Sequence, residues 1–126
     1  MSVNAKQVGG DHYKADFQHW DFVMACNLNY LQGNATKYVD RCYRKHDSAR
    51  EDLEKAIHYL EKQIVGGYAI VLHNGQWKHM QRYAEARKLT PEQYSIIWAI
   101  VSGQFELAIR VIEKLLEPVR SPATSA

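Results

Sequence analysis

Apolar residues recur at spacings of three and four along most of the chain, a period that predicts helices rather than strands. The clearest apolar stripe follows a helix start at Ser48, which has Glu51 at the capping-box spacing. Its members are Leu53, Ile57, Leu60 and Ile64. Over 68–80 the pattern fits either a helix that runs into a loop or a short hairpin turning at Asn74-Gly75. We predict an all-α fold, a compact helical bundle of about five helices.

Turn and cap residues divide the chain into an arm, one helical domain and a tail. The turn residues Gly9-Gly10-Asp11 indicate an irregular arm, and the small polar residues at the other end indicate a disordered tail. The domain has a first part that ends near Gly66-Gly67 and a second part made of the C-terminal helices. The predicted ranges are 1–16 for the arm, 17–66 and 76–117 within the single domain of 17–117, and 118–126 for the tail.

The last two predicted helices are apolar over more than a narrow stripe. Thr90-Pro91 starts the first of them with a cap and a proline at the first helical position, and Gly103 ends it. Either these helices form the main core, or they also bury a partner chain. We expect a homo-oligomer built through this region. The apolar residues concerned are Ile96, Ile97, Ile100, Val101, Val111, Ile112, Leu115 and Leu116.

The first predicted helix contains three residues whose burial can be predicted. We place Trp20 and Phe22 in the core and His19 on the surface. Gly33, inside or just before the next helix, costs roughly 1 kcal/mol relative to Ala. This glycine predicts close backbone packing, or a ligand bound near Asn34.

Cations are concentrated on the helix that precedes Ser48. They lie at i, i+4, i+7 and i+8 and therefore share one side, and they are Lys37, Arg41, Arg44 and Lys45. Packing this helix against the next one would bring Lys55 and Tyr59 beside the row. An ordinary solvated hairpin is the alternative, because 37–55 holds six cations and five anions and exposed pairs contribute little.

The same region resembles a known family. The matching residues are His12-Tyr13-Lys14, Gly33-Asn34-Ala35-x-Lys37-Tyr38, Arg41, Lys45 and Asp52-Leu53-x-Lys55-Ala56-x-x-Tyr59-Leu60. This combination resembles the SaV-like family of small phage proteins of unknown function, related to a podophage nucleotide kinase that lacks a P-loop. The resemblance covers roughly His12 to Ile64. It implies a phage protein that binds nucleotides.

The residue types suit a phosphate-bearing ligand with a flat ring. Lys and Arg bind phosphate through charge-assisted hydrogen bonds, and Arg can do so bidentately. Phosphoryl transfer needs mainly positioning and charge neutralisation, so a cation cluster without a P-loop does not exclude it. If the protein is a kinase, Asp52 is the candidate catalytic residue, orienting the accepting group or Lys55. Tyr13 and Lys14 could close over the hairpin as a lid. The predicted ligand-binding residues are His12, Tyr13, Lys14, Asn34, Lys37, Tyr38, Arg41, Arg44, Lys45, Lys55 and Tyr59.

Composition excludes several function classes. The net charge of +2 is too small to predict bulk nucleic-acid binding. Cys26 and Cys42 form no disulfide or metal motif and fit reduced core thiols. The histidines form no metal-ligand pair, so we predict no metal site, although Mg²⁺ would suit a bound nucleotide. The chain shows no signal peptide or membrane span, and we expect it in the cytoplasm of an infected host cell.

Three functions fit these residues. The first is a (deoxy)nucleoside monophosphate kinase without a P-loop, since the sequence contains no G-x-x-x-x-G-K-[ST]. The second is a non-enzymatic binder that sequesters a nucleotide signal of host antiviral defence. The third is a protein-interaction module that inhibits a host factor. The first two share one site and differ in turnover, and the third predicts no nucleotide affinity.

Overall fold

The computed structural model describes residues 17–44 and 49–117, and these residues form a helical bundle. The elements are α1 (His19–Cys26), α2 (Tyr30–Arg41), α3 (Ala49–Gly66), α4 (Gln76–Arg87), α5 (Pro91–Val101) and α6 (Phe105–Leu116). The described part of the chain contains no strand, which confirms the all-α prediction with one helix more than expected. Residues 68–75 are irregular with a turn at Asn74-Gly75, so the hairpin alternative was wrong. The predicted arm and tail lie outside the described residues.

Helix ends follow the cap chemistry of the sequence. Asn29 and Thr90 each accept a hydrogen bond from the backbone three residues on, closing capping boxes with Gln32 and Gln93. The helix α3 ends at Gly66, and Gly67 then adopts a φ of 59°, the left-handed conformation that glycine tolerates. The cap predicted at Ser48 lies outside the described residues.

The helices pack around one core. α2 lies along α3 as a hairpin, α5 and α6 form a second pair against it, and α1 packs mainly on α4. The residues Ile96, Ile97, Ile100, Val101 and Ile112 are fully buried within this single chain. The chain's own core therefore accounts for most of the apolar excess that suggested a homo-oligomer, although Leu115 is 37% exposed, and the oligomer stays a prediction.

Two buried glutamines join the hairpin to α5. The side-chain amide of Gln32 donates to the carbonyl of Ile100 at 2.9 Å. Gln93 donates to the carbonyl of Val39 at 2.9 Å and to that of Asp40 at 3.1 Å. Each glutamine side chain also accepts the capping-box hydrogen bond at the start of its own helix. The cap and the bond to the other helix therefore hold the same side chain in place.

α1 corrects two of the sequence predictions. Phe22 is fully buried as predicted, but Trp20 is 54% exposed. Tyr83 of α4 takes the central aromatic position instead, with its ring stacked 4.2 Å from that of Phe22. His19 is not a surface residue, since it contacts Thr36 and the ring of Tyr83. Among the described residues, no helix combines the length and apolar character that crossing a membrane requires.

Candidate functional site

Three cations surround one aromatic ring on the α2–α3 hairpin. The distances from the ring centroid of Tyr38 are 4.8 Å to Lys37 Nζ, 5.4 Å to Lys55 Nζ and 5.5 Å to Arg41 Cζ. These are cation–π distances. The hairpin therefore assembles what we call the cation cluster, namely Lys37, Arg41 and Lys55 around Tyr38.

Two further tyrosines continue this surface along the hairpin. The ring of Tyr59 lies nearly parallel to that of Tyr38, with centroids 5.8 Å apart. Tyr30 then meets Tyr59 edge-on at 6.5 Å. Asn34, midway between Tyr30 and Tyr38 on α2, donates its amide to the carbonyl of Tyr30 at 2.9 Å. A ring compound bound here would meet aromatic faces next to the cations.

Asp52 belongs to this site through Arg41 rather than through Lys55. Its Oδ2 lies 3.7 Å from Arg41 Nε, and the residue is 7% exposed. The same Nε is buried and has no hydrogen-bond partner among the described residues. Lys55 pairs with Glu51 instead, at 3.3 Å. Asp52 is thus placed to orient the guanidinium of Arg41.

Arg44, predicted in the same cationic row, has different partners. Its Nε donates to Asp40 Oδ1 at 2.7 Å, and its Nη2 donates to the carbonyl of Arg87. The i, i+4 spacing allows Arg44 to pair with Asp40, and through its bond to Arg87 the side chain also connects α2 to α4. The row therefore divides, with Lys37 and Arg41 at Tyr38 and Arg44 at Asp40.

Asp40 is the centre of a buried polar network that sequence reasoning missed. Besides Arg44, it accepts hydrogen bonds from the hydroxyl of Tyr83 and from Arg87 Nε, the latter at 3.0 Å. Burial alone would raise the pKa of Asp40, but these hydrogen bonds and the two guanidinium charges lower the pKa below its usual value. Burial and the charge of Asp40 raise the pKa of Tyr83 well above its usual value.

The Asp40 network has a structural role, because its side chains pair with one another. Asp40 and Tyr83 are 2% and 0% exposed, which leaves a small ligand no access. Burial lowers the pKa of the neighbouring His19 to about 4, so the imidazole is neutral at pH 7. The Asp40–Arg44 spacing was visible in the sequence, whereas nothing local links Asp40 to α4.

The remaining predicted groups are placed as follows. His12, Tyr13, Lys14 and Lys45 lie outside the described residues. Across the part of the chain that the structure describes, no group of three His, Cys, Asp or Glu side chains could hold a metal ion. Both cysteines are free and buried, and burial raises the pKa of each to about 11, as expected for unreactive core thiols.

Comparison with known proteins finds a similarity over part of the chain. No curated protein and no solved structure matches it. One family model matches residues 8–61, that of DUF3310, which is described as a protein of unknown function. The matched range holds α1, α2 and most of α3, and with them the whole cation cluster. The chain is therefore similar to the DUF3310 family over residues 8–61, less than half of its 126 residues.

Proposed function

We propose that the chain binds a nucleotide or a similar phosphate-bearing small molecule on the α2–α3 hairpin. The observation that carries this proposal is the cation cluster, three positive side chains within 5.5 Å of the Tyr38 ring centroid. Like charges repel at such short range, so a cluster of cations favours an anion between or beside them. A phosphate group is the anion that Lys and Arg bind best together.

The carboxylates near the cation cluster neutralise only part of its positive charge. Asp52 pairs with Arg41 and Glu51 pairs with Lys55, but no carboxylate of the described residues forms an ion pair with Lys37. The Arg41 side chain has 32% of its surface exposed and retains N–H groups that can reach a ligand. Lys37 and Arg41 would therefore hold phosphate oxygens, and Lys55 would add a third positive charge.

The tyrosines favour a ligand with a flat ring over inorganic phosphate. Tyr38 and Tyr59 are partly buried against the core, so their rings are held in place rather than free in solvent. Stacking of a base on an aromatic side chain stabilises binding by about 1–3 kcal/mol. Asn34 would meet a sugar hydroxyl or a base edge.

Asp52 makes binding without turnover the better-supported form of this function. A carboxylate that is 7% exposed and paired with Arg41 is poorly placed to take a proton from a substrate. The resemblance to the SaV-like family would add phosphate transfer and a phage context, with Mg²⁺ carried by the nucleotide. A binder in the cytoplasm of an infected cell that sequesters a defence nucleotide needs none of that chemistry.

Binding measurements on matched variants test the proposal. Wild type would be titrated by calorimetry with mono-, di-, tri- and cyclic nucleotides, and thermal shifts would be recorded in parallel because a ligand of the native state raises Tm. We expect Lys37→Ala to lower affinity roughly tenfold, the scale of one charged hydrogen bond. Arg110→Ala, which removes an exposed cation of α6, serves as the charge-matched control.

Two results would contradict the proposal. If wild type binds none of these compounds, the cation cluster is an ordinary charged surface and the interaction module is favoured. If Lys37→Ala and Arg110→Ala weaken binding equally, net charge rather than the cluster determines affinity.

A further inference from the structure

A groove lies at the other end of the same hairpin, where α2 begins and α3 ends. Its volume is about 430 Å³, and it is lined by Asn29, Tyr30, Leu31, Lys62, Tyr68 and Ala69. None of these residues belongs to the site predicted from sequence. The rings of Tyr30 and Tyr68 are 75% and 52% exposed, so the groove presents two large aromatic surfaces to solvent.

Three hydrogen bonds hold the backbone and side chains beside the groove in place. Asn29 Nδ2 donates to Gln63 Oε1 at 2.7 Å and to the carbonyl of Ala69 at 3.2 Å. Gln63, itself 3% exposed, donates to the carbonyl of Tyr68 at 2.7 Å. The irregular segment after α3 is thereby tied to both helices of the hairpin.

The ring of Tyr68 occupies space that glycine leaves open. A Cβ atom at Gly66 would lie 2.1 Å from Cε2 of Tyr68, far inside van der Waals contact. Any side chain at position 66 therefore displaces this ring. The aromatic wall of the groove depends on a residue that the ligand itself need not touch.

The groove is continuous with the cation cluster through the tyrosines. Tyr30 lines the groove and meets Tyr59 edge-on, and Tyr59 stacks on Tyr38 within the cluster. Tyr30 and Tyr38 are eight residues apart on α2, a separation of about 12 Å along the helix axis. Cations at one end and an aromatic groove at the other match a ligand with phosphates at one end and a base at the other.

We propose that this groove is the base-binding subsite of the nucleotide site, with Tyr30 and Tyr68 as its stacking rings and Lys62 as a donor to base oxygen or nitrogen atoms. The proposal rests on the proposed function, since the phosphates remain at the cation cluster, and it places the base in the groove rather than on Tyr38 and Tyr59. It also selects a ligand class. In a monophosphate only the sugar separates the phosphorus atom from the base, whereas a triphosphate has two further phosphorus atoms. The distance between the cation cluster and the groove therefore favours nucleoside triphosphates.

Calorimetry with three probes tests this subsite: the common nucleoside triphosphates, the corresponding monophosphates and inorganic tripolyphosphate, which has no base. We expect Tyr68→Ala to weaken triphosphate binding about tenfold or more, the loss of one base-stacking contact, and to leave tripolyphosphate binding unchanged. Gly66→Ala should act in the same direction by moving the ring of Tyr68. Trp77→Ala, which removes a similarly exposed aromatic side chain from α4, should change neither.

The outcomes separate this inference from the proposed function. If tripolyphosphate and nucleotides bind wild type but Tyr68→Ala binds both as wild type does, the groove is not the base subsite and the phosphate site stands. Monophosphates that bind more tightly than triphosphates would also overturn the inference. If no phosphate compound binds wild type, both proposals fall together.

Discussion

The Nε atom of Arg41 lies 3.7 Å from Oδ2 of Asp52, and this ion pair joins α2 to α3 at the edge of the cation cluster. Asp52 is buried, so its charge needs the guanidinium as a partner. Arg41 in turn is held in one orientation by the carboxylate and by the ring of Tyr38, with its centre 5.5 Å from the ring centroid. One cation thus serves both the packing of the hairpin and the candidate site.

Arg41→Lys tests the phosphate role with the charge retained. Truncation to Ala would leave the buried Asp52 without its partner and confuse stability with binding. Lysine keeps the positive charge but loses the planar fork that can bind phosphate bidentately. We expect affinity for nucleotides to fall several-fold in calorimetry, with a small change in the free energy of unfolding in urea. Arg110→Lys is the control, and equal affinity in wild type and Arg41→Lys would remove Arg41 from the site.

The Asp40 network predicts a large loss of stability on a single isosteric change. Asp40→Asn removes the buried carboxylate charge that pairs with Arg87 at 3.0 Å, where the side chain of Arg87 is 11% exposed. Breaking a buried ion pair in this way costs about 3 kcal/mol or more. Urea denaturation should show this loss, whereas Glu54→Gln, which breaks an exposed pair with Arg50, should cost under about 1 kcal/mol. Equal losses in the two variants would mean that the network contributes no more than a surface pair.

His19 predicts how stability depends on pH. Its pKa is about 4 in the folded chain and 6.5 when exposed, so the unfolded chain binds more protons between these values. Stability should therefore fall as pH drops from 6.5 towards 4, by up to about 3 kcal/mol. The lowered pKa of Asp40 adds a further loss at still lower pH. Urea denaturation across this range should give a flatter profile for His19→Gln, and an unchanged slope would assign the pH dependence to other groups.

Two glycines predict opposite responses to alanine. A Cβ at Gly33 would meet Val23 at 3.6 Å, an ordinary contact inside a helix, so Gly33→Ala should stabilise the fold by up to about 1 kcal/mol. Gly103 has a φ of 82°, and a Cβ there would lie 2.8 Å from Ile70 Cδ1. Gly103→Ala should therefore destabilise by about 1 kcal/mol or more. Thermal unfolding of both variants checks the signs. A lower Tm for Gly33→Ala would contradict the ordinary contact expected between its Cβ and Val23.

How far the sequence predicted the structure depended on whether the signal was local. Cap residues and apolar periodicity act within a few residues. The start of α5 at Thr90 and the end of α3 at Gly66-Gly67 were therefore predictable. Close packing at Gly33 was wrongly expected, because the glycine faces an ordinary contact with Val23. The partner of a helix face is set by tertiary packing, which is why the exposure of Trp20 was missed.

The candidate site shows the same division. Helical spacing brought Lys37, Arg41 and Lys55 to one ring, which only required that the two helices pack as a hairpin. Spacing could not show that Asp40 would draw Arg44 towards Arg87, since that contact spans more than forty residues of chain. The groove at Tyr68 was equally hidden, because an irregular segment forms one of its walls.

Asp52→Asn tests whether the protein only binds nucleotides or also transfers phosphate. The position of Asp52 beside Arg41 determines the result expected in each case. The amide keeps the shape of the carboxylate, but it removes the negative charge that lies 3.7 Å from Arg41 Nε beside the cation cluster. If the chain only binds, this variant should hold nucleotides at least as tightly as wild type, because the positive surplus has increased.

Product analysis then decides whether phosphate is transferred. Wild type and Asp52→Asn would each be incubated with labelled nucleoside triphosphate, Mg²⁺ and each monophosphate, and the nucleotides separated afterwards. We expect both proteins to return the ligands unchanged, because Asp52 is buried against Arg41 and is poorly placed to accept a proton. Diphosphate formed by wild type and lost in Asp52→Asn would instead assign Asp52 a catalytic role and make the protein a kinase without a P-loop. Diphosphate formed equally by both proteins would mean that positioning by the cations suffices for transfer, with Asp52 confined to orienting Arg41.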